Sequence, residues 1–311
     1  MHLVTPIPTH ADLALRVLRA GKHCACTVPM GTTREELAAL VDAERASGLV
    51  YMMMETAVYT HHCLYVQGLQ RSGELGTIQF LRGAHYQDMT GWPEYWLGLP
   101  PMHYATHAVS PLLAIEATRA TSVRCLGSGT MDESLTSRYG NPYPVESAIF
   151  TLESPRPLAM EVTRSLFETA RDYMESFNIY GTNASFEWHM ENELPVLFRM
   201  QGAGDTGRGR TVGHERVTPP DTSTLLPPQI ARHSRHQVVS DQENPHLSLL
   251  QGGGHHGSHP HLVHEFVRSI VERRRSRIDS VTAAEWTSPG VCAHESAMAG
   301  GVEVELPDFR S

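Results

Sequence analysis

The first 56 residues alternate strand, helix, strand, helix and strand on links so short that the strands have to run parallel. His2-Leu-Val-Thr5 reads as a short apolar strand that ends at Pro6. Thr9 stands where an N-cap belongs, before a helix whose Ala11, Ala14, Leu15 and Leu18 recur at i, i+3, i+4 and i+7. Gly21 closes that helix, and His23 to Thr27 is the second strand. Thr32 and Thr33, each followed three residues on by a glutamate (Glu35, Glu36), offer a capping box for a helix through Leu37, Leu40 and Val41. Gly48 stops it, and Leu49 to Met54 is the third strand. Right-handed crossovers then make this segment α/β.

Beyond Thr56 the pattern becomes α+β. Strand-like runs at Thr77–Tyr86, Ser122–Leu126, Val145–Leu152 and Leu158–Leu166 follow one another, with further strands at Phe177–Tyr180, Ser185–Trp188 and Val196–Met200. They predict a large, mostly antiparallel sheet covered by helices on one face. Residues 202–244 carry Gly, Pro, Ser, Thr and Arg without periodicity and predict a flexible surface insertion. After it, Val263, Phe266, Val267 and Ile270 form the apolar stripe of a helix, with His261 on the solvated side, and a last helix spans Pro289–Ala299. The expected domains are therefore 1–56 and 57–311.

Composition removes several function classes. The formal charge of −9 argues against nucleic acid as the partner. No apolar run reaches the roughly 20 residues a membrane helix requires, and the N-terminus does not read as a secretory signal. Five cysteines in no zinc or disulfide spacing suit a reducing cytoplasm, the expected location.

Thr5-Pro-Ile-Pro-Thr-His10, then Ala20-Gly-Lys-His23, then Pro29, resembles the second half of the Rossmann domain in the Gfo/Idh/MocA family of sugar oxidoreductases. Gly73-Glu-Leu-Gly76, Met102-His-Tyr-Ala-Thr-His107 and Gly254-His-His-Gly-Ser-His-Pro260 also look like family features, so the resemblance runs through almost the whole chain. It implies a partial Rossmann half-domain holding strands four to six, then a C-terminal domain for substrate and oligomerisation. It also implies NAD or NADP as cofactor, a carbohydrate or polyol as small-molecule partner, and a homo-oligomer formed through the open sheet. Two departures stand out. No Gly-rich turn lies near the start to hold a pyrophosphate, so this chain is expected to bind the cofactor weakly or not at all, and a late-starting gene model is the expected cause. Where the family reads Glu-Lys-Pro, this chain reads Thr27-Val28-Pro29, and valine cannot replace the lysine that hydrogen-bonds the reacting hydroxyl.

The resemblance assigns Thr5, Pro6, His10 and Pro29 to the cofactor side. Glu55 joins them because it ends the third strand, where open α/β sheets bind ligands. His103 and His107 are four apart, which on one helix puts both imidazoles on a single face. Histidine titrates near neutral pH, so the pair suits acid–base work on a hydroxyl, with Tyr104 assisting; two satisfied core histidines are the other reading. Pro111, four residues past His107, predicts a kink there. His-x-x-x-His also suits zinc, but the glutamate of a zincin motif is missing, and no metal is expected. His255, His256 and His259 lie in a Gly/His loop before a helix, which is either a substrate loop or a flexible link. Trp92, with Tyr95 and Trp96, either stacks on a sugar ring or packs the core. Three functions remain open: a nicotinamide-dependent sugar or polyol oxidoreductase, a glycoside-cleaving relative that recycles its cofactor, and a catalytically degenerate interaction subunit.

Overall fold

The computed structural model describes residues 1–311 except 137, 191, 204–208, 235–236, 240–241, 244–245, 247–248 and 252–253. In order, the elements are β1 (His2–Leu3), α1 (His10–Arg19), β2 (Cys24–Cys26), α2 (Arg34–Ser47), β3 (Tyr51–Met53), α3 (His61–Arg71), β4 (Ile78–Tyr86) and α4 (Thr106–Glu116). There follow β5 (Ala120–Ser128), α5 (Glu133–Thr136), β6 (Val145–Leu152), β7 (Ala159–Ser165), β8 (Met174–Gly181), β9 (Ala184–Trp188), β10 (Val196–Ala203) and β11 (Arg210–Arg216). The chain ends with α6 (Pro228–Ala231), β12 (Gln237–Val239), β13 (Leu249–Gln251), α7 (Ser258–Val271), α8 (Ser280–Met298) and β14 (Val304–Glu305).

β1, β2 and β3 form a three-stranded parallel sheet in that order, joined through α1 and α2. The capping box forms at Thr33, whose side chain accepts the Glu36 amide while Glu36 reaches back to the Thr33 amide. Gly48 ends α2 with φ at 63°, the left-handed region where glycine costs least. Thr9 does not cap α1. Its hydroxyl donates to the Pro6 carbonyl at 2.7 Å and closes a one-turn 3-10 helix, Ile7–Thr9, instead.

The second sheet has nine strands in the order β11-β10-β9-β8-β4-β7-β6-β5-β14. Its centre, β4 beside β7, is parallel, and the other pairs are antiparallel. The sheet is thus mixed. Alternation along β6 shows its two faces: Glu146, Ala148, Phe150 and Leu152 are buried, whereas Ile149 is exposed. Two glycines set how closely the covering helices approach. A Cβ on Gly83 of β4 would stand 2.3 Å from the Ala108 carbonyl oxygen of α4, and one on Gly290 of α8 would stand 2.0 Å from the Met102 carbonyl oxygen.

Three expectations are corrected here. The insertion at 202–244 is partly built: β10 continues to Ala203, β11 pairs with it, and a 3-10 turn at Thr222–Leu225 and α6 follow. β11 is the outermost strand and almost wholly solvated, so it carries no alternation to read. The final helix begins at Ser280, not Pro289, because Asp279 accepts the Thr282 amide at 2.9 Å and the helix runs on through Pro289. Helix α7 is inside out: Val263 and Val267 are 51% and 48% exposed, whereas His261, Glu265 and Ser269 are buried. The interior it meets is polar, since Glu265 receives the Arg274 guanidinium and the Arg277 amide, and His261 stacks on Tyr59.

Candidate active site

Glu55 follows the carboxyl end of β3 and is fully buried. Its Oε1 accepts the Ala57 amide at 2.9 Å and lies 2.6 Å from His107 Nδ1. A carboxylate only accepts, so Nδ1 carries the proton and the opposite nitrogen, Nε2, is turned away from Glu55. Nε2 meets the Tyr104 hydroxyl at 3.3 Å and Glu175 Oε1, from β8, at 3.9 Å. The Tyr173 hydroxyl donates to Glu175, and His255 Nδ1 lies 3.5 Å from the same oxygen while its ring stacks on His107. Burial opposes charge on His107, but Glu55 and Glu175 outweigh it and hold its pKa well above the usual histidine value. Burial likewise opposes charge on Glu175, and His107 and His255 reverse that, holding its carboxyl well below the usual range. The result is a carboxylate–imidazole–carboxylate row with a phenol at its free nitrogen.

The row opens on a cavity of about 280 Å³ at the carboxyl ends of the parallel strands. Thr5, Ile7 and His10 bound it on one side, Thr27, Val28, Met54 and Thr56 below, and Trp96, Tyr104, His107, His255 and His259 opposite. Of the residues the sequence singled out, Thr5, His10, Tyr104, His107 and His259 line this space, and Glu55 lies directly behind His107. Pro6 begins the Ile7–Thr9 turn, and the Pro29 carbonyl lies 2.7 Å from His10 Nδ1. His10 Nε2 lies 2.8 Å from the Thr5 carbonyl, so its ring ties β1 to the loop after β2.

His103 is not on the face that carries His107. The 3-10 turn Pro101–Tyr104 ends at Ala105 (φ −99°, ψ 1°) and α4 starts afresh at Thr106, continuous through Pro111. The break sends the His103 ring away to pack edge-on against His294. His256 is diverted too. His255, His256 and Gly257 are all left-handed (φ 46°, 49° and 78°), a costly run for two residues with Cβ atoms, and it aims His255 at Glu175 and His256 at the stacked His62–Trp188 pair. Trp92 is half exposed and stands outside the cavity, whose wall is Tyr95 and Trp96. Gly252 and Gly253 of the Gly/His loop lie outside the described residues. Glu175 and Tyr173 were missed, because the histidines they meet in space are far away in sequence. His85, fully buried with neither ring nitrogen hydrogen-bonded among the described residues, has its ring 5.4 Å from His107.

Three histidines around the site stay neutral in the folded chain. Burial, with His256 and His61 adding to it, pushes His62 down to about 3; burial with His294 pushes His103 to about 3; burial with His61 and His264 pushes His261 to about 4. The unfolded chain protonates all three near 6.5. Their contribution is therefore complete above pH 6.5 and is lost as pH falls, down to about 4 for His261 and about 3 for His62 and His103, at about 1.4 kcal/mol per pH unit for each. We expect Tm to drop steeply over that window. His62→Phe, which keeps the stack on Trp188 and removes the titration, should flatten the drop; a parallel curve would rule out His62 as a contributor.

Searched against family models, the chain has no match. Individual proteins do resemble it. Levoglucosan dehydrogenase of Pseudarthrobacter phenanthrenivorans is 28% identical over 233 residues, 66% of this chain and 59% of its own length. A glycosyl hydrolase family 109 protein of Saccharopolyspora erythraea is 29% identical over 256 residues, 67% of this chain and 55% of its own. A solved levoglucosan dehydrogenase in complex with NADH and levoglucosan superposes with a TM-score of 0.75 at 20% identity, over 98% of this chain and 79% of that one. The chain thus resembles the Gfo/Idh/MocA family, in keeping with the motifs in its sequence. It spans little more than half the length of the two curated relatives just named.

The dinucleotide that this resemblance implies has two ends to satisfy, and the residues present fit one of them. Val28 and Met54 give the cavity an apolar floor and Thr5, Thr27 and Thr56 give it hydroxyls, a lining suited to a nicotinamide. The pyrophosphate end needs a Gly-rich turn between a strand and a helix. The spelling Gly-x-Gly-x-x-Gly does occur at Gly202-Ala-Gly-Asp-Thr-Gly207, but between antiparallel β10 and β11, and 204–208 lie outside the described residues.

Proposed function

We propose that the protein is an NAD(P)-dependent oxidoreductase acting on a sugar or polyol hydroxyl, with β1–β3 as the second half of a Rossmann domain. The observation that carries this reading is the Glu55–His107–Tyr104 row at the cavity wall. A bound nicotinamide would supply the acceptor for the hydride leaving the alcohol carbon. The hydroxyl proton passes to His107 Nε2, directly or through the Tyr104 hydroxyl, while Glu55 holds the imidazole in the productive orientation. His107 thereby takes up the task that Val28 cannot perform. Trp96 and His259 are the substrate-side wall. Five free, buried cysteines suit a reducing cytoplasm. The uncovered face of the nine-stranded sheet, with Leu126, Ile149, Met200 and Val212 exposed, is where a second copy would pair.

A glycoside-cleaving reaction is the second reading. Two histidine–carboxylate contacts (His107–Glu55 and His255–Glu175) supply an acid and a base, as cleavage of a C–O bond requires, and the glycosyl hydrolase relative adds to it. The test is turnover by the purified 311-residue chain with NAD+ or NADP+ and a panel of sugars, polyols and aryl glycosides. An oxidoreductase gives a stoichiometric rise in absorbance at 340 nm, with a KM for NAD+ that is roughly millimolar or weaker because the pyrophosphate end is not held. A glycosidase releases aglycone with no net change at that wavelength. Neither signal at saturating cofactor would leave the interaction-subunit reading, and tight NADH binding by calorimetry would refute the weak-binding expectation.

A further inference from the structure

Arg164 sits in the middle of β7, and its side chain is completely buried. A buried guanidinium is expensive unless its charge is answered, yet among the described residues all its hydrogen bonds go to neutral oxygens. Nε donates to the Tyr104 carbonyl at 2.9 Å, Nη1 to the His85 carbonyl at 3.0 Å and to the Ser165 carbonyl, and Nη2 to Gln87 Oε1 at 3.2 Å. Its Cζ lies 5.4 Å from the centre of the Tyr104 ring. Across the sheet its register partner on β6 is Glu146, also completely buried, which does not neutralise it. Glu146 Oε2 instead accepts the Met102 amide at 2.8 Å, and its Oε1 lies 2.7 Å from His294 Nδ1.

These two charges bracket one object. The anion takes an amide from the first turn of the Pro101–Tyr104 3-10 helix and the cation takes the carbonyl at its last residue, each matching the sign of the backbone dipole there. The bracketed segment is the one that ends in Tyr104 and breaks before α4. We infer that Arg164, with Glu146, is a positioning residue that fixes the Tyr104 hydroxyl on His107 Nε2, so that the guanidinium acts on the reaction only through Tyr104. This rests on the acid–base role given to Tyr104 and His107 under Proposed function. It also explains why a strand interior keeps an arginine and a glutamate side by side without pairing them: each is committed to the backbone of the same turn.

The test combines kinetics with a readout independent of turnover. Arg164→Met should lower kcat by about 10²-fold with little change in KM for the sugar, the usual scale for a displaced catalytic group. Because Arg164 acts through Tyr104, the double variant Arg164→Met/Tyr104→Phe should be no slower than Tyr104→Phe alone. Glu146→Gln, which keeps an acceptor for the Met102 amide, should stay within a few-fold of wild type where Glu146→Ala does not. Losses that multiply in the double variant, or an unchanged kcat in Arg164→Met, would overturn the inference. Should Arg164→Met not fold, Arg164→Lys, which keeps the charge but not the planar fork, carries the same comparison. If the wild type itself turns over no sugar, the oxidoreductase reading is what has failed. Arg164 is then judged by the imidazole nitrogen resonances of His107: a displacement shared by Arg164→Met and Tyr104→Phe supports the bracket, and resonances identical to wild type sink it.

Discussion

Replacing His107 with alanine should lower kcat for sugar oxidation by about 10²- to 10⁴-fold while leaving KM for the sugar within a few-fold, the range that a positioned acid–base group supplies. The direction of its pH dependence follows from its surroundings. Glu55 and Glu175 hold the imidazole charged well above the usual histidine range, so at neutral pH Nε2 of the free protein carries a proton. Oxidation needs that proton gone, and its rate should rise with pH through the raised pKa. Reduction of the ketone uses the charged form and should fall over the same interval. Glu55→Gln keeps a hydrogen-bond acceptor at Oε1 but removes the first of the two charges, so the rising limb should move to lower pH. The measurement is kcat/KM against pH in both directions for wild type and Glu55→Gln. Limbs that coincide in the two proteins would remove Glu55 from the mechanism and leave His107 as a buried structural histidine.

The same ion row shapes stability, with signs that must be taken separately. The raised pKa of His107 means its contribution is complete below pH 6.5 and lost as pH rises through the raised value. The depressed pKa of Glu175 means its contribution is complete above the ordinary carboxylate range and lost as pH falls through the depressed value. The row is intact across neutral pH, where both conditions hold, while the neutral histidines at positions 62, 103 and 261 make acid the weak side of the fold.

What could be read from the residues divides along a physical line. Elements with local signatures were legible: the capping box at Thr33, the stop at Gly48, the parallel order of β1–β3 and the alternating strand Val145–Leu152. Features set by the environment were not. β11 carries no alternation because it is solvated on both sides, and α7 turns valines outward because Glu265 and His261 have polar partners inside. The His103–His107 spacing is sound for a continuous helix, but the bonds of Glu146 and Arg164 to the turn between them come from strands 40 residues and more away. Glu55 could be suspected from its place after a strand. Glu175 and Tyr173 could not be assigned to it, because nothing in their own neighbourhoods says what they will face.

Alanine at Gly290 should destabilise the protein by about 1–3 kcal/mol or more, although the change is normally favourable in a helix. Within a helix, glycine is worse than alanine by roughly 0.8–1 kcal/mol, so the default expectation is a gain. Gly68 in α3 meets that default: a Cβ there has nothing within 4 Å, and Gly68→Ala should raise Tm. At Gly290 the new carbon would stand 2.0 Å from the Met102 carbonyl oxygen, and backbone cannot swing aside as a side chain can. Either α8 or the Pro101–Tyr104 turn must move, and the turn carries Tyr104 to His107 Nε2. Gly83→Ala meets the Ala108 carbonyl oxygen at 2.3 Å and pushes on α4 one residue from His107, so it should act in the same sense. Thermal unfolding of the three variants decides the matter, with kcat measured well below each Tm. Stability lost together with kcat at 83 and 290, and gained without loss of kcat at 68, is the result expected if close backbone contact sets the site. A Gly290→Ala protein as stable and as fast as wild type would mean that the turn tolerates displacement, and that Tyr104 is held less strictly than its buried bracket implies.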